Sequence, residues 1–286
     1  MRSGVLVNAR LSATNFLLEA TLISKAGCLL LCIFFLLSFL VNVQDVIAIT
    51  PGHLIPPNFW IWTLVTHQFV ETSFLQLALN CFVLLFSVKV LESLWGSTGF
   101  LLFFSIVTAS TGLLTFFVYL FIYVSTFDIS YLFDVHIYGL HAYTSAVLVC
   151  LKQSRGDQMV IGSVGLNIKN LPFVYCAFLV VFKLANLISG STVALSLNGI
   201  LVAWVYLRFY QSHSKGRGDQ ASHFAFKTFF PKPVQGPVGV LSNALYKVLL
   251  ALKICRKTSY RYDVGAPSKF TITLSGVDAL DAERRR

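Results

Sequence analysis

The chain has 286 residues, of which 56% are hydrophobic and only 12% charged, with a net charge of +10 at pH 7. Soluble domains carry about 25% charged residues, so this composition excludes a water-soluble enzyme or binding module and puts much of the chain in lipid. Apolar runs of about twenty residues then set the architecture, rather than overall length.

The first run, Ala26 to Ile49, is 24 residues long. It exceeds the roughly 7–15 residues of a signal-peptide core, and no A-x-A-like cleavage site follows, so a retained span is expected. Pro51, Gly52, Pro56 and Pro57 then stop any helix. Trp60 and Trp62 follow, suited to a first-loop position at interfacial depth. Further runs at 72–90, 99–124, 137–151, 171–189 and 193–210 bring the expected helices to six. The fourth is short, as befits a helix that its neighbours shield from lipid. Gln76 and Asn80 lie one turn apart on the second helix and share a face, which should point into the bundle. Glu92, Trp95 and Gly96 are expected to end that helix. Lys183 and Asn186 interrupt the fifth run. A centred lysine costs about 2.5–3.5 kcal/mol on insertion scales. Lys183, about six residues or ~9 Å from the run's end, is close enough to snorkel or make a structural contact; the alternative is a transport path.

With a cytosolic N-terminus, 21 of the 22 lysines and arginines fall in cytosolic pieces and Lys183 stays inside the fifth run. The opposite loops, 50–71, 125–136 and 190–192, hold none. That alternation is the positive-inside pattern and predicts an all-α bundle of six spans, residues 1–210, with both termini cytosolic. Residues 211–286 form a tail with thirteen basic and five acidic residues. Within it, Leu241, Leu245, Val248, Leu249 and Leu252 share a helix face over 238–254, with Lys247 and Lys253 near its edges. Such a helix lies in the membrane interface or docks on the bundle. Residues 269–274 alternate like a short strand. The tail's basicity attracts anionic lipid, worth ~1 kcal/mol per near-surface cation, or docks acidic coat or tether proteins. Arg-Gly-Asp at 217–219 carries no adhesion role on the cytosolic side. The six cysteines are scattered without a CxxC and read as small buried hydrophobes. No cofactor, metal or nucleic-acid partner is expected.

Three strings in order resemble the rhomboid superfamily: "FWIWTLVTHQFVETSFLQLALN", "KVLESLWGSTGF" and "IYGLHAYTSAVLVCL". Rhomboid proteases show Trp-Arg in the first loop, His-x-x-x-Asn on the second helix, Gly-x-Ser-Gly on the fourth, and a His ahead of Gly-x-x-x-Gly on the sixth. Here Trp62 precedes Thr63, Gln76 stands at the second-helix histidine, and Asn80 is kept. The fourth-helix motif reads Gly139-Leu140-His141-Ala142, so His141 replaces the nucleophile; Gly199 and Ala203 match the sixth-helix pattern, and Ser196 replaces the base. "TPGHLIPPNFWIWTLVTH", "WVYLRFYQSHSKGRGD", "HFAFKTFFP", "KICRKT", "RYDVGAPS" and "DAERRR" are more specific, and resemble the rhomboid-like Golgi membrane proteins typified by transmembrane protein 115. The resemblance implies a Golgi-resident, catalytically inactive protein in vesicle traffic, including retrieval toward the endoplasmic reticulum, with self-association. Its partners would be other transmembrane proteins and, through the tail, trafficking or tethering proteins. Gln76, Asn80, Gly139, His141, Ser196 and Gly199 would line a vestigial active-site cavity. A quality-control adaptor that feeds proteins to degradation is the alternative role.

Proteolysis is not expected. Serine hydrolysis needs a nucleophile, a base within hydrogen-bond reach and oxyanion donors, and no histidine occurs between 142 and 212. Ser145, four residues after His141, lacks a third group to orient the base. Zinc held by His67, His136 and His141 would need histidines five apart on one helix to converge, and their side chains diverge.

Overall fold

The computed structural model describes residues 21–156, 158–161, 166–213, 216–219, 221, 224–230 and 235–251. The long helices are α1 (Leu22–Leu37), α2 (Phe74–Thr126), α3 (His141–Arg155), α4 (Leu171–Leu184), α5 (Gly190–Val205) and α6 (Gln235–Ala251). A π-helical turn, Tyr206–Tyr210, extends α5. Two short antiparallel hairpins, Met159–Ile161 with Leu166–Asn167 and Ser212–His213 with Gly216–Arg217, decorate one end. By length and composition alone, α2 and the helix through 190–210 are long and apolar enough to cross a membrane.

Each of the six sequence-predicted runs falls on a helical segment, but three boundaries move. The first helix ends at Leu37, twelve residues before Ile49. There the Ser38 hydroxyl donates to the Phe35 carbonyl at 2.6 Å, a local bond that competes with helix propagation. The chain turns, and Ile49 and Ile137 exchange backbone bonds of 3.0 and 2.9 Å. The second and third runs are continuous in α2 except at Gly96, whose φ of +72° and ψ of 169° break the helix. Nothing lies within 4 Å of a would-be Cβ there, so it is the positive φ that requires glycine. The arms, 74–95 and 97–126, are stapled across the break by Trp95 packing edge-on to Phe103 at 5.2 Å. The fifth run stops at Leu184, with Asn186 at φ +56°. Lys183 therefore sits in the last turn of α4 rather than mid-helix, where its charge suits the helix C-terminus.

The core forms where α2, α3 and α5 meet. Phe100, Phe103, Leu140, Tyr143, Ala146, Ala203 and Leu207 are almost wholly enclosed there. α3 and α5 approach backbone to backbone at Gly199, where a Cβ would stand 2.7 Å from the Ala142 carbonyl oxygen and clash with the Ser145 hydroxyl. This is small-residue packing of the kind membrane helices use when apolar burial cannot discriminate between partners. Polar side chains within the bundle pair with each other: Tyr143 with Ser87 at 2.5 Å, and Asn198 with Thr115 at 3.0 Å.

The stretch beyond residue 210 begins as part of this core. Phe224 and Phe229 are buried in it, and the Trp204 indole donates to the Phe224 carbonyl at 3.0 Å. Asp219 of the Arg-Gly-Asp string accepts from Gln153 at 3.1 Å and from the Ala221 backbone at 3.0 Å. Gly218, at φ +74°, lies against the Arg208 carbonyl where no Cβ fits. The string thus forms a docking turn. The expected tail helix appears as α6, with Tyr246 stacked on Phe209 at 5.8 Å. Residues 269–274 and Leu252 lie outside the described residues.

Candidate functional site

The first loop is shaped by single-turn segments, Pro51–Leu54 and Thr63–Thr66, followed by a 3₁₀ turn, His67–Phe69. Trp60 stacks on Trp62 with ring centres 5.5 Å apart, and His53 packs on Trp60 at 4.4 Å. Trp62 remains half exposed, its indole donating to the Val46 carbonyl at 3.3 Å. Both tryptophans thus hold the outer rim of the loop, away from the polar residues inside.

His67 points inward and is fully buried. Its Nδ1–H donates to the Thr63 carbonyl at 3.1 Å, and burial pushes its pKa down to about 4. The ring is therefore neutral and packs against Gly112 of α2, where a Cβ would fall 2.9 Å from Cε1. The His67 carbonyl accepts from the Gly139 backbone at 2.9 Å. That bond anchors the turn leading into α3, which Gly139 enters at φ +96°.

On the other side of this turn, the structure brings Gln76, Gly139 and His141 together. The Gln76 amide donates from Nε2 to His141 Nε2 at 2.6 Å. His141 consequently carries its own proton on Nδ1. A Cβ on Gly139 would sit 3.1 Å from the His141 ring and 3.6 Å from the Gln76 amide, so the three form one contiguous patch.

Asn80 belongs to a neighbouring contact. Its amide donates to Glu71 Oε1 at 2.5 Å. The same oxygen accepts from the Leu140 backbone N–H at 3.3 Å. Glu71 is only 1% exposed, and burial pushes its pKa up to about 7, against the two hydrogen bonds, which pull it down. Sequence reasoning missed Glu71. The available signal was position: it is the only acidic residue of the 50–71 loop and stands three residues before α2.

Ser196 and Gly199 lie apart from that patch. The Ser196 hydroxyl donates to the Thr192 carbonyl of its own helix at 2.9 Å, with Tyr175 as its side-chain neighbour. Gly199 supplies the close approach of α5 to α3 described above. Ser145 Oγ donates to the backbone carbonyls of His141 and Ala142 at 3.0 and 2.9 Å, so it makes no side-chain contact with the His141 ring that would activate it. The three histidines considered for zinc have separate partners: His67 the Thr63 carbonyl, His136 the Thr50 hydroxyl at 3.0 Å, and His141 the Gln76 amide. Among the described residues no three His, Cys, Asp or Glu side chains gather in a metal-binding group.

The chemical capacity of this arrangement is narrow. It provides hydrogen-bond donors, a buried carboxyl and an imidazole already engaged by an amide. The family model described as "Eukaryotic integral membrane protein (DUF1751)" matches residues 25–286. Transmembrane protein 115 from Homo sapiens is 45% identical over 281 residues, spanning 98% of this chain and 80% of the human protein. The Mus musculus protein of the same name is 44% identical over the same length. Rhomboid-like protein 19 from Arabidopsis thaliana is 28% identical over 249 residues, 84% of this chain and 76% of the plant protein.

Proposed function

Because the chain belongs to the transmembrane protein 115 family of eukaryotic integral membrane proteins, we propose that it is a non-catalytic, rhomboid-like protein of the Golgi membrane. It acts in vesicle-mediated transport, in retrieval from Golgi to endoplasmic reticulum and in retention of Golgi enzymes. Six spans cross the bilayer with both termini cytosolic, a reading supported by the loops 50–71, 125–136 and 190–192, which carry no lysine or arginine.

One observation carries the non-catalytic part. His141, at the position of a rhomboid nucleophile, is held by the Gln76 amide, while Ser196, at the position of the base, spends its hydroxyl on the Thr192 carbonyl. The two groups make no contact with each other that would pair a nucleophile with a base. In this reading Gln76 and His141 contact transmembrane segments of other proteins that enter laterally between helices, beside Asn80, whose amide is engaged by Glu71. The basic tail meets trafficking or tethering proteins and anionic lipid, and the chain self-associates.

Depletion in cells tests the proposal. Retrograde cargo should slow, and Golgi enzymes should leave their steady-state position, both restored by the wild-type chain. Unchanged cargo kinetics and enzyme position would sink it. Proximity labelling from the tail should recover Golgi trafficking proteins; recovery of degradation machinery at the endoplasmic reticulum would favour the quality-control role.

A further inference from the structure

Acyl-transfer enzymes stabilise a developing oxyanion with preorganised donors, commonly a backbone N–H beside the nucleophile and an asparagine amide. Both donor types are present in this chain, and both are already in use. The Leu140 N–H, immediately before His141, and the Asn80 amide converge on one oxygen, Glu71 Oε1, at 3.3 and 2.5 Å. They come from different parts of the fold, the entry to α3 and the first arm of α2. The His67 carbonyl fixes the direction of the turn between them through the Gly139 N–H at 2.9 Å. Glu71 is almost completely enclosed, and its second oxygen, Oε2, is buried with no hydrogen-bond partner among the described residues. A carboxylate that merely capped a helix would take N–H groups from the first turn of its own helix. Glu71 instead takes one donor from a side chain nine residues away and one from backbone 69 residues away.

We propose that Asn80 and the Leu140 N–H form a carboxyl-binding site, of oxyanion-hole construction, that Glu71 occupies in cis. The occupancy is non-covalent. It fills the place where a carbonyl oxygen of an incoming segment would be received, so the chain is blocked at the oxyanion position as well as lacking the nucleophile. The inference deepens the non-catalytic reading above and rests on it only for the comparison with an enzyme; the binding of a carboxyl group stands independently of any transport role.

Chemical rescue tests it on the purified full-length chain in detergent. Glu71→Ala empties the site and should lower the unfolding midpoint by about 5 °C or more. Formate or acetate should restore at least half of that loss at about pH 5, relative to chloride at the same ionic strength, and less at about pH 8, where only the charged form is present. Neither should change the wild-type chain or a Glu71→Ala, Asn80→Ala double variant. Equal rescue by chloride, or no rescue of a folded Glu71→Ala protein, overturns the proposal. Glu71→Gln keeps an acceptor oxygen and should fold without responding to formate. If Glu71→Gln folds but Glu71→Ala cannot be recovered even when purified in formate, the site is not a carboxyl receptor and the proposal fails. These outcomes are read without any transport assay, so failure here and failure of the Golgi role are distinguishable.

Discussion

The Gln76 amide and the His141 imidazole meet Nε2 to Nε2 at 2.6 Å, joining the first arm of α2 to the start of α3 across 65 residues of sequence. A direct hydrogen bond between buried side chains has a defined energetic signature. Gln76→Ala leaves His141 Nε2 without its donor and should destabilise the chain by about 1–3 kcal/mol. His141→Phe with Gln76→Leu, which removes both polar groups, should cost less than the sum of the single changes. Denaturant unfolding in detergent as a double-mutant cycle measures the coupling; additive single changes would show that the two side chains do not act as a pair.

Glu71 makes stability depend on pH in a definite direction. Burial raises its pKa from 4.5 to about 7 in the folded chain, so the folded state holds a proton that the unfolded state has released across that interval. Stability from this group is full below about pH 4.5, declines as pH rises toward 7, and is flat above. At about 1.36 kcal/mol per unit, the whole change is on the order of 3 kcal/mol. Glu71→Gln should flatten the curve of unfolding midpoint against pH between those limits. A slope unchanged in that variant would assign the titration to another group.

Gly199 is expected to be among the least tolerant positions. Any side chain there meets the Ala142 carbonyl oxygen at 2.7 Å and the Ser145 hydroxyl. Gly199→Leu should force α5 away from α3 at a cost of about 1–3 kcal/mol or more. Ser196→Ala, one turn away, loses a bond to its own helix and one with Tyr175, creates no clash, and should shift stability by about 1 kcal/mol. Comparable losses in both variants would contradict the close-packed contact.

Restoring residue types should not restore hydrolysis. His141→Ser combined with Ser196→His puts a serine and a histidine at the positions the rhomboid resemblance assigns to nucleophile and base, yet Glu71 still accepts from the Leu140 N–H and Asn80. Labelling by a fluorophosphonate probe is expected to stay at the level of the unaltered chain. Labelling clearly above that level would show that the oxyanion position is open.

Lys152 ties the segment after α5 to the core. Its ammonium sits 3.5 Å from the centre of the Phe229 ring and donates to Thr228 Oγ1 at 3.0 Å. Lys152→Met and Phe229→Leu, taken singly and together, should give a coupling of about 0.5–2 kcal/mol. Limited proteolysis between residues 213 and 235 should quicken in either variant. A coupling near zero would reduce the contact to packing alone.

How far the residues alone reached is clearest at particular places. The apolar runs and the breakers at Pro56, Pro57 and Gly96 mark where helical segments form and stop, because lipid solubility and backbone freedom belong to each residue and its neighbours; Pro51 instead opens a helical turn. Gln76 and Asn80 were legible as inward-facing for the same reason: they fall on one face of an apolar helix. The early end of α1 at Leu37 was not legible. It depends on a Ser38 bond and on the pairing of Ile49 with Ile137, 88 residues away. Nor does the sequence show that Asp219 meets Gln153, 66 residues away, as a docking contact.

By itself the sequence determined that this is a helical membrane protein of the transmembrane protein 115 family, and which residue types stand at the positions that its resemblance to rhomboids marks. Only the tertiary structure decided what those residues touch: that Gln76 engages His141, that Ser196 turns back to its own helix, and that Glu71 occupies the donors of Asn80 and Leu140. Hydropathy and spacing are sums over local preferences, whereas a hydrogen bond depends on a specific approach of distant segments. Here the helices are brought together by small-residue contacts such as Gly199 on Ala142, whose outcome no local pattern encodes.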